Sequence, residues 1–468
     1  MGIRYKLAIG LLGKGSTNHL HQKFVVEAFQ AVGVNITFLI RKDYENLISR
    51  IDGADYEGIE FTLPRNNSAW LLGTCRLIRR LYPSSDIGRA IFLKPWWAMS
   101  VEERIHVSFC RIMARKEWVV RSVIELERRL YNNIQIAAIS SREINQLLLL
   151  GVGTVDSELE GLATWWALER KLPIVHFVGN YDNLSSKGYR GIPVRRLLVW
   201  GPSMIEDAKK LQGIKSERIT AIGSLRYNAM PRLSKDERHS FLQSIGLDLS
   251  RKTILFAGFI FPFHYFEMLS IFRQLVAAGE SIQLILRIYP NKNMMQSVYM
   301  NPLLTYARSI PNVYVSIGDP YYKVGSHDYE VLQIEEDELN KVLNSCDVVI
   351  NQFSTISIEA CLFDKPAINM WYFPPPNKAM LMGPIYKNYL DIYHIRRMQS
   401  YDAIPMANSR EEVIRLIQEA IEHPHYRQKQ RATIVQNEIG IVDGRACERL
   451  VSACVEDYEG FRRGTYRD

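Results

Sequence analysis

The stretch Asp347–Met370, DVVINQFSTISIEACLFDKPAINM, carries the densest chemistry in this 468-residue chain. An apolar strand, Val348 to Ile350, runs into Asn351, Gln352, Phe353, Ser354 and Thr355, and a helix then begins with Glu359 in its second turn. A helix start presents backbone N–H groups that have no intrahelical acceptor, and two hydroxyls beside them complete a seat for a phosphate. Glu359 can accept hydrogen bonds from two vicinal hydroxyls such as those of a ribose, and a bond to a charged acceptor contributes roughly 1.5–3 kcal/mol. The same residues also permit a purely local role, with Ser354 as N-cap and Glu359 complementing the helix dipole.

A second cluster, Tyr181-Asp182-Asn183-Leu184-Ser185-Ser186-Lys187-Gly188, follows the apolar run Ile174 to Val178. Lys187 with Asn183 and the hydroxyls of Ser185 and Ser186 can hold a phosphate, while Asp182 can orient a hydroxyl or take its proton. This composition also makes an ordinary Asn-Asp-Ser turn. Arg287 closes another strand and is a further phosphate ligand by charge. His19 and His21 are alternative bases with side chains that titrate near neutrality. Asp156 and Glu158, after a Gly-Val-Gly turn, are reserve acids. The loop Gly10 to Ser16 contains Gly13-Lys14-Gly15-Ser16 but satisfies neither the phosphate-loop nor the dinucleotide spacing. Its backbone amides can still face a ligand.

These residues need elements to hold them. Strands are expected at Tyr5–Leu12, Asn35–Ile40, Ile134–Ile139, Ile174–Val178, Leu197–Trp200 and Ile219–Ile222, with helical stretches such as Glu158–Arg170 between them. After a polar segment near residue 240 the alternation restarts, with strands at Thr253–Ala257, Gln283–Ile288, Val313–Ser316, Val348–Asn351 and Ala367–Met370. Two successive βα series argue for two doubly wound, Rossmann-like α/β domains, residues 1–235 and 250–440. The end of the chain reads as helices at Glu411–Glu422, His425–Asn437 and Gly444–Tyr458, the last N-capped by Asp443 and forming a closing segment, 441–468.

Net charge is +8, which suggests anionic partners. Arg65 to Leu130 alone holds 13 Lys and Arg against 6 Asp and Glu, together with Trp70, Trp96, Trp97 and Trp118, half of the eight tryptophans. Basic and indole side chains suit an anionic membrane surface, and equally the solvated face of packed helices. Nucleic acid is not the favoured partner, because the charge sits away from the expected nucleotide segment. The six cysteines form no CxxC pair and read as reduced, buried thiols. No apolar run approaches the length of a membrane span, and Leu7 to Leu12 is too short for a secretory core. The expected location is cytoplasmic, with a peripheral place at the inner face of the cell membrane.

The strand–Ser-Thr–helix–Glu–turn–Lys-Pro–strand segment resembles the donor-nucleotide half-site of glycosyltransferases with the GT-B fold. It is similar also to CDP-glycerol glycerophosphotransferase and capsule-synthesis proteins. The segment DNLSSKG with the later LVWG resembles a pattern of bacterial surface-polysaccharide transferases, with Tyr181 where that pattern has Trp. Asp443-Gly444-Arg445-Ala446-Cys447-Glu448-Arg449 resembles their C-terminal "DG…ER" end. The resemblance implies two Rossmann-like domains facing a cleft, with C-terminal helices crossing back. It assigns donor binding to Ser354, Thr355, Glu359 and Arg287, with Phe353 beside them, and leaves Asp182 and His19 as competing bases. Tyr289 replaces the His of the group's R-x-H-P, and Asn351 replaces the first of two glutamates carried by many retaining enzymes. Inversion is therefore expected, with a nucleotide-sugar donor and a glycan or lipid-linked acceptor, and because no segment resembles the paired acidic metal ligands of other transferases, no metal or other cofactor is expected. The alternatives are a nucleotide-sugar epimerase, a polyol-phosphate transferase, or a GT-B binding partner without catalysis.

Overall fold

The structure, a computed structural model, describes residues 5–11, 23–41, 55–59, 67–82, 99–132, 144–152, 158–186, 191, 194–258, 262–288, 297–317, 336–372 and 390–464. The chain divides into two compact units. The first comprises Met1–Ala229, Pro384–His394 and Glu438–Asp468, and the second Met230–Gly383 and Ile395–Asn437.

In the first unit the strands are β1 (Lys6–Leu11), β2 (Asn35–Arg41), β3 (Asp55–Ile59), β4 (Gln146–Val152), β5 (Ile174–Val178), β6 (Arg196–Val199) and β7 (Ile219–Ala221). In the second they are β8 (Lys252–Ala257), β9 (Ile282–Ile288), β10 (Val313–Ile317), β11 (Val348–Asn351), β12 (Ala367–Met370) and β13 (Met406–Ala407). The sheets run β3-β2-β1-β4-β5-β6-β7 and β10-β9-β8-β11-β12-β13, and each strand pair is parallel. Each sheet therefore starts in its middle, winds outward to one edge, and resumes on the other side of its first strand. The strand order reverses between β1 and β4 in one sheet and between β8 and β11 in the other. In open α/β sheets ligands sit outside the carboxyl ends of the strands at such a reversal.

The strands are apolar because helices cover both sheet faces. Ile254, Phe256, Leu284, Leu286, Val348 and Ile350 join one core with the Pro262–Ala277 helix. β4 departs from the sequence expectation, which placed a strand at Ile134–Ile139, a segment outside the described residues. The run Leu147–Leu150 is buried at the centre of the first sheet, paired with β1 and β5. β3 and β13 were also not expected: one is the polar DYEGI, the other two residues long.

The closing helix, Ala446–Arg462, begins two residues later than the sequence suggests, with Arg445 at its N-cap. Asp443 still serves this end, accepting from the Arg445 N–H at 3.0 Å and from Arg449 Nη1 at 2.9 Å. The C-terminal segment belongs to the first unit. Tyr458 stacks on Tyr5 at 4.4 Å, and Glu438, fully buried, accepts from Ser203 Oγ at 3.0 Å. Gly440 has φ +82°, and a Cβ there would lie 2.6 Å from the Trp200 carbonyl oxygen. Gly440→Ala combines that backbone clash with left-handed strain and should lower stability by about 2 kcal/mol or more in urea unfolding.

Candidate functional site

The loop after β11 lies at the strand-order reversal of the second sheet, and two asparagines build it. Asn351 ends β11 and Asn369 stands beside it in register on β12. Asn351 Oδ1 accepts from the Ser354 N–H at 3.1 Å and from Ser357 Oγ at 2.8 Å, while Asn369 Oδ1 accepts from the Phe353 N–H at 2.9 Å. Phe353 is thereby held at φ +50°, a left-handed conformation uncommon for a bulky residue, with its ring edge-on to Trp371 at 5.0 Å. Strain of this kind persists only where the surroundings over-determine it, and it concentrates at functional sites.

Because Asn351 Oδ1 takes both of these donors, its amide orientation is set by hydrogen bonding. The Nδ2 group points elsewhere, and among the described residues this buried donor has no hydrogen-bond partner. Leaving such a donor unmet costs about 1–3 kcal/mol, so an acceptor arriving there gains a strong bond. The helix that follows, Ile356–Leu362, starts one residue later than Ser354 would as N-cap. Thr355 occupies that position and closes no side-chain cap. Ser354 and Thr355 are half-buried, and among the described residues the Ser354 hydroxyl makes no hydrogen bond. Glu359 is almost wholly buried in this helix.

Arg287 reaches the same sheet edge from β9. With β8 between them, β9 and β11 are about 10 Å apart. Arg287 Nη1 donates to Ser316 Oγ at 2.8 Å and stands 3.7 Å from Glu338 Oε2, so its charge is balanced within the unit. The aromatic segment that follows β8, Phe259 to Phe266, is only partly within the described residues. Phe259 is outside them, and Tyr265 is core, fully buried with its hydroxyl on the Gly258 carbonyl at 3.0 Å.

His264 was not singled out by sequence, since nothing in its neighbours marks it. It is buried at the start of the helix after β8, with Nε2 3.0 Å from the Tyr372 carbonyl that follows β12. Burial pushes its pKa from 6.5 down to about 4. Between those two values the unfolded chain binds the proton and the folded chain does not, so stability rises with pH across the window and is lost as pH falls through it. Denaturant titrations from about pH 7 to about pH 4 should show a loss of roughly 3 kcal/mol that His264→Gln removes.

In the first unit, Asp182 and its neighbours lie beyond the carboxyl end of β5. Gly179 passes so close to Gly151 that a Cβ would meet its carbonyl oxygen at 2.7 Å. Asn183–Ser186 then form one helical turn. Ser186 Oγ donates to Asp182 Oδ2 at 2.7 Å, and Ser185 Oγ donates to the Asp182 carbonyl at 3.1 Å. Ser185 Oγ is also 3.3 Å from His394 Nδ1, and His394 sits edge-on to Tyr181 at 5.6 Å. Asn183, Ser185 and Ser186 are buried and Asp182 is half-buried. His394 joins this turn from a distant part of the chain, a placement no local pattern reveals. Lys187, His19, His21 and Asp156 lie outside the described residues.

All six cysteines are buried and unpaired, and burial pushes the Cys346 thiol up to about 11 and that of Cys361 to about 12. No described helix is long and apolar enough to cross a membrane. Among the described residues no cluster of three or more His, Cys, Asp or Glu is placed to hold a metal ion.

No protein-family model and no curated protein matches the sequence. Solved structures do. UDP-GlcNAc 2-epimerase from Neisseria meningitidis, bound to UDP-GlcNAc, is similar with a TM-score of 0.51 at 13% identity, over 97% of this chain and 100% of that one. UDP-GlcNAc 2-epimerase from Methanocaldococcus jannaschii gives 0.51 at 10% identity, over 97% and 100%. A glycosyltransferase from Rickettsia africae ESF-5 gives 0.50 at 8%, over 98% and 99%. Identities this low speak for fold alone. With its two doubly wound parallel sheets, the chain has the two-domain α/β GT-B fold.

Proposed function

We propose that the protein is a nucleotide-sugar-dependent glycosyltransferase of surface-polysaccharide synthesis. The observation that carries this reading is the loop after β11, with its strained Phe353 and the unmet Asn351 amide, at the strand-order reversal of the second sheet. The diphosphate of the donor takes the Asn351 amide, the Ser354 and Thr355 hydroxyls and the helix start. Its ribose hydroxyls bond to Glu359. Arg287 adds positive charge once phosphate draws it from Glu338. The first unit carries the acceptor, a glycan or lipid-linked sugar, and Asp182 is the general base, its carboxylate oriented by Ser186.

The reaction is an inverting displacement. The acceptor oxygen attacks the anomeric carbon as its proton passes to Asp182, and the bond from that carbon to the diphosphate breaks. The leaving nucleoside diphosphate is stabilised by fixed N–H donors and Arg287, an arrangement that needs no metal. Glu359→Gln removes the charge that the ribose hydroxyls meet, and should weaken nucleotide binding about 10–100-fold in calorimetry.

The epimerase reading has support too, from the two UDP-GlcNAc 2-epimerases of the same fold. Product analysis separates the two. Incubation with UDP-sugars, GDP-sugars and CDP-activated donors should release nucleotide only when a glycan or lipid-linked acceptor is added. An isomerised UDP-sugar formed without acceptor would establish epimerisation instead.

A further inference from the structure

The Val101–Ala114 helix has two apolar faces. Val107, Cys110 and Ala114 are buried, and Cys110 and Ala114 join a core shared with the Asn67–Arg80 and Glu117–Asn132 helices. At about 100° per residue, Val101, Ile105, Phe109 and Ile112 occupy an arc of about 80° on the far side of the helix. Each of these four is more than half exposed. A helix that needed only to pack on its neighbours would carry polar residues there.

Two indoles extend this surface. Trp70, about two-thirds exposed, stacks on His106 with ring centroids 5.5 Å apart. Trp118, equally exposed, opens the next helix. Arg111, Arg115 and Lys116 are exposed at the end of the apolar arc, and among the described residues none makes an ion pair. Glu102 also lies outward, whereas Glu103 is taken up by the Ser100 capping box and Glu117 pairs with Arg121 at 2.6 Å.

We propose that this face docks on an anionic phospholipid bilayer. The aliphatic and phenyl side chains enter the acyl boundary, the indoles lie at the headgroup level, and the three cations meet lipid phosphates. Charge argues against a second copy as occupant, since Arg111, Arg115 and Lys116 outnumber the one outward carboxylate, Glu102, that an antiparallel two-fold mate would bring to them. Exposed Trp beside unpaired cations is the composition of an interfacial face. The inference stands apart from the nucleotide site.

The test is co-sedimentation of the full chain with vesicles of phosphatidylcholine alone and of phosphatidylcholine mixed with phosphatidylglycerol. Binding should be confined to the mixed vesicles and should weaken with added salt. Each of Arg111→Gln, Arg115→Gln and Lys116→Gln should reduce the partition coefficient about fivefold. The double variant Ile105→Ser/Phe109→Ser should reduce it tenfold or more, on the order of a buried apolar side chain's transfer. All five positions are exposed, so unfolding midpoints should match the parent. The proposal is overturned if the mixed vesicles sediment no protein, or if the double variant binds them as the parent does. It is equally overturned if the face proves to be a self-association or protein-binding surface, lost in the double variant, with no affinity for vesicles.

Discussion

Asp182→Asn should lower the rate of transfer by about 10²–10⁴-fold, the usual contribution of a positioned general base. The substitution is close to isosteric. Its amide oxygen can still accept from Ser186 Oγ, and the Asp182 backbone carbonyl keeps the bonds from the Ser185 and Ser186 N–H groups. The helical turn therefore survives and only the proton acceptor disappears. Nucleotide affinity should stay the same, because the proposed donor ligands belong to the second unit. The effect should fall on kcat, with the alkaline side of the pH–rate profile unchanged in shape. Ser186→Ala offers the graded comparison, leaving the carboxylate in place but without its 2.7 Å partner. Full activity in Asp182→Asn would show that another group accepts the proton, with His19 the next candidate.

Arg431→Met should destabilise the second unit by about 3 kcal/mol, the lower end of what breaking a buried ion pair causes. Arg431 is almost completely buried. Its Nε donates to Asp364 Oδ1 at 2.8 Å, and its two terminal nitrogens donate to the carbonyls of Tyr426 at 2.7 Å and Pro424 at 2.9 Å. One side chain thus ties the turn after the Ile356–Leu362 helix to the Gln428–Ile434 helix and the loop before it. Asp364 is about one-third exposed, so the carboxylate left behind retains water, and for that reason the lower end of the range applies. Arg431→Lys should recover little, because a single ammonium cannot meet three acceptors spread across a planar fork. Asp364→Asn should be milder, since Asn tolerates the left-handed φ of +55° and still offers an oxygen to Nε. Urea unfolding followed by tryptophan fluorescence and by far-UV dichroism measures these differences.

Much of the fold was legible because parallel strands covered on both faces are short, uniformly apolar runs bounded by turn residues. VVIN and AINM, separated by a helix and Asp-Lys-Pro, show both ends of two neighbouring strands directly in sequence. β4 escaped because its core is four leucines, a residue with no strong β preference, and its last two residues, Gly151 and Val152, read in sequence as the start of a turn. β13 is too short for any periodicity to mark it. The candidate site divides in the same way. Ser354, Thr355 and Glu359 belong to one local segment whose spacing is readable. The pairing of Asn351 with Asn369 is not, because register between neighbouring strands is set by the sheet. The bond of Arg287 to Ser316 and the approach of His394 to Ser185 likewise depend on contacts far apart in sequence.

Calorimetric titration of the protein and of Asn351→Asp with UDP, GDP, CDP and CMP tests the central claim most directly. Asn351→Asp keeps an oxygen for the Ser354 and Ser357 donors but replaces the unmet Nδ2 donor with a second oxygen, which repels phosphate. The protein should bind at least one nucleoside diphosphate, and the variant, which is destabilised by a carboxylate at this fully buried position, should lose that binding under conditions where far-UV dichroism shows it still folded. Absence of binding to all four nucleotides, or equal binding by Asn351→Asp, would contradict a nucleotide seat at the loop after β11.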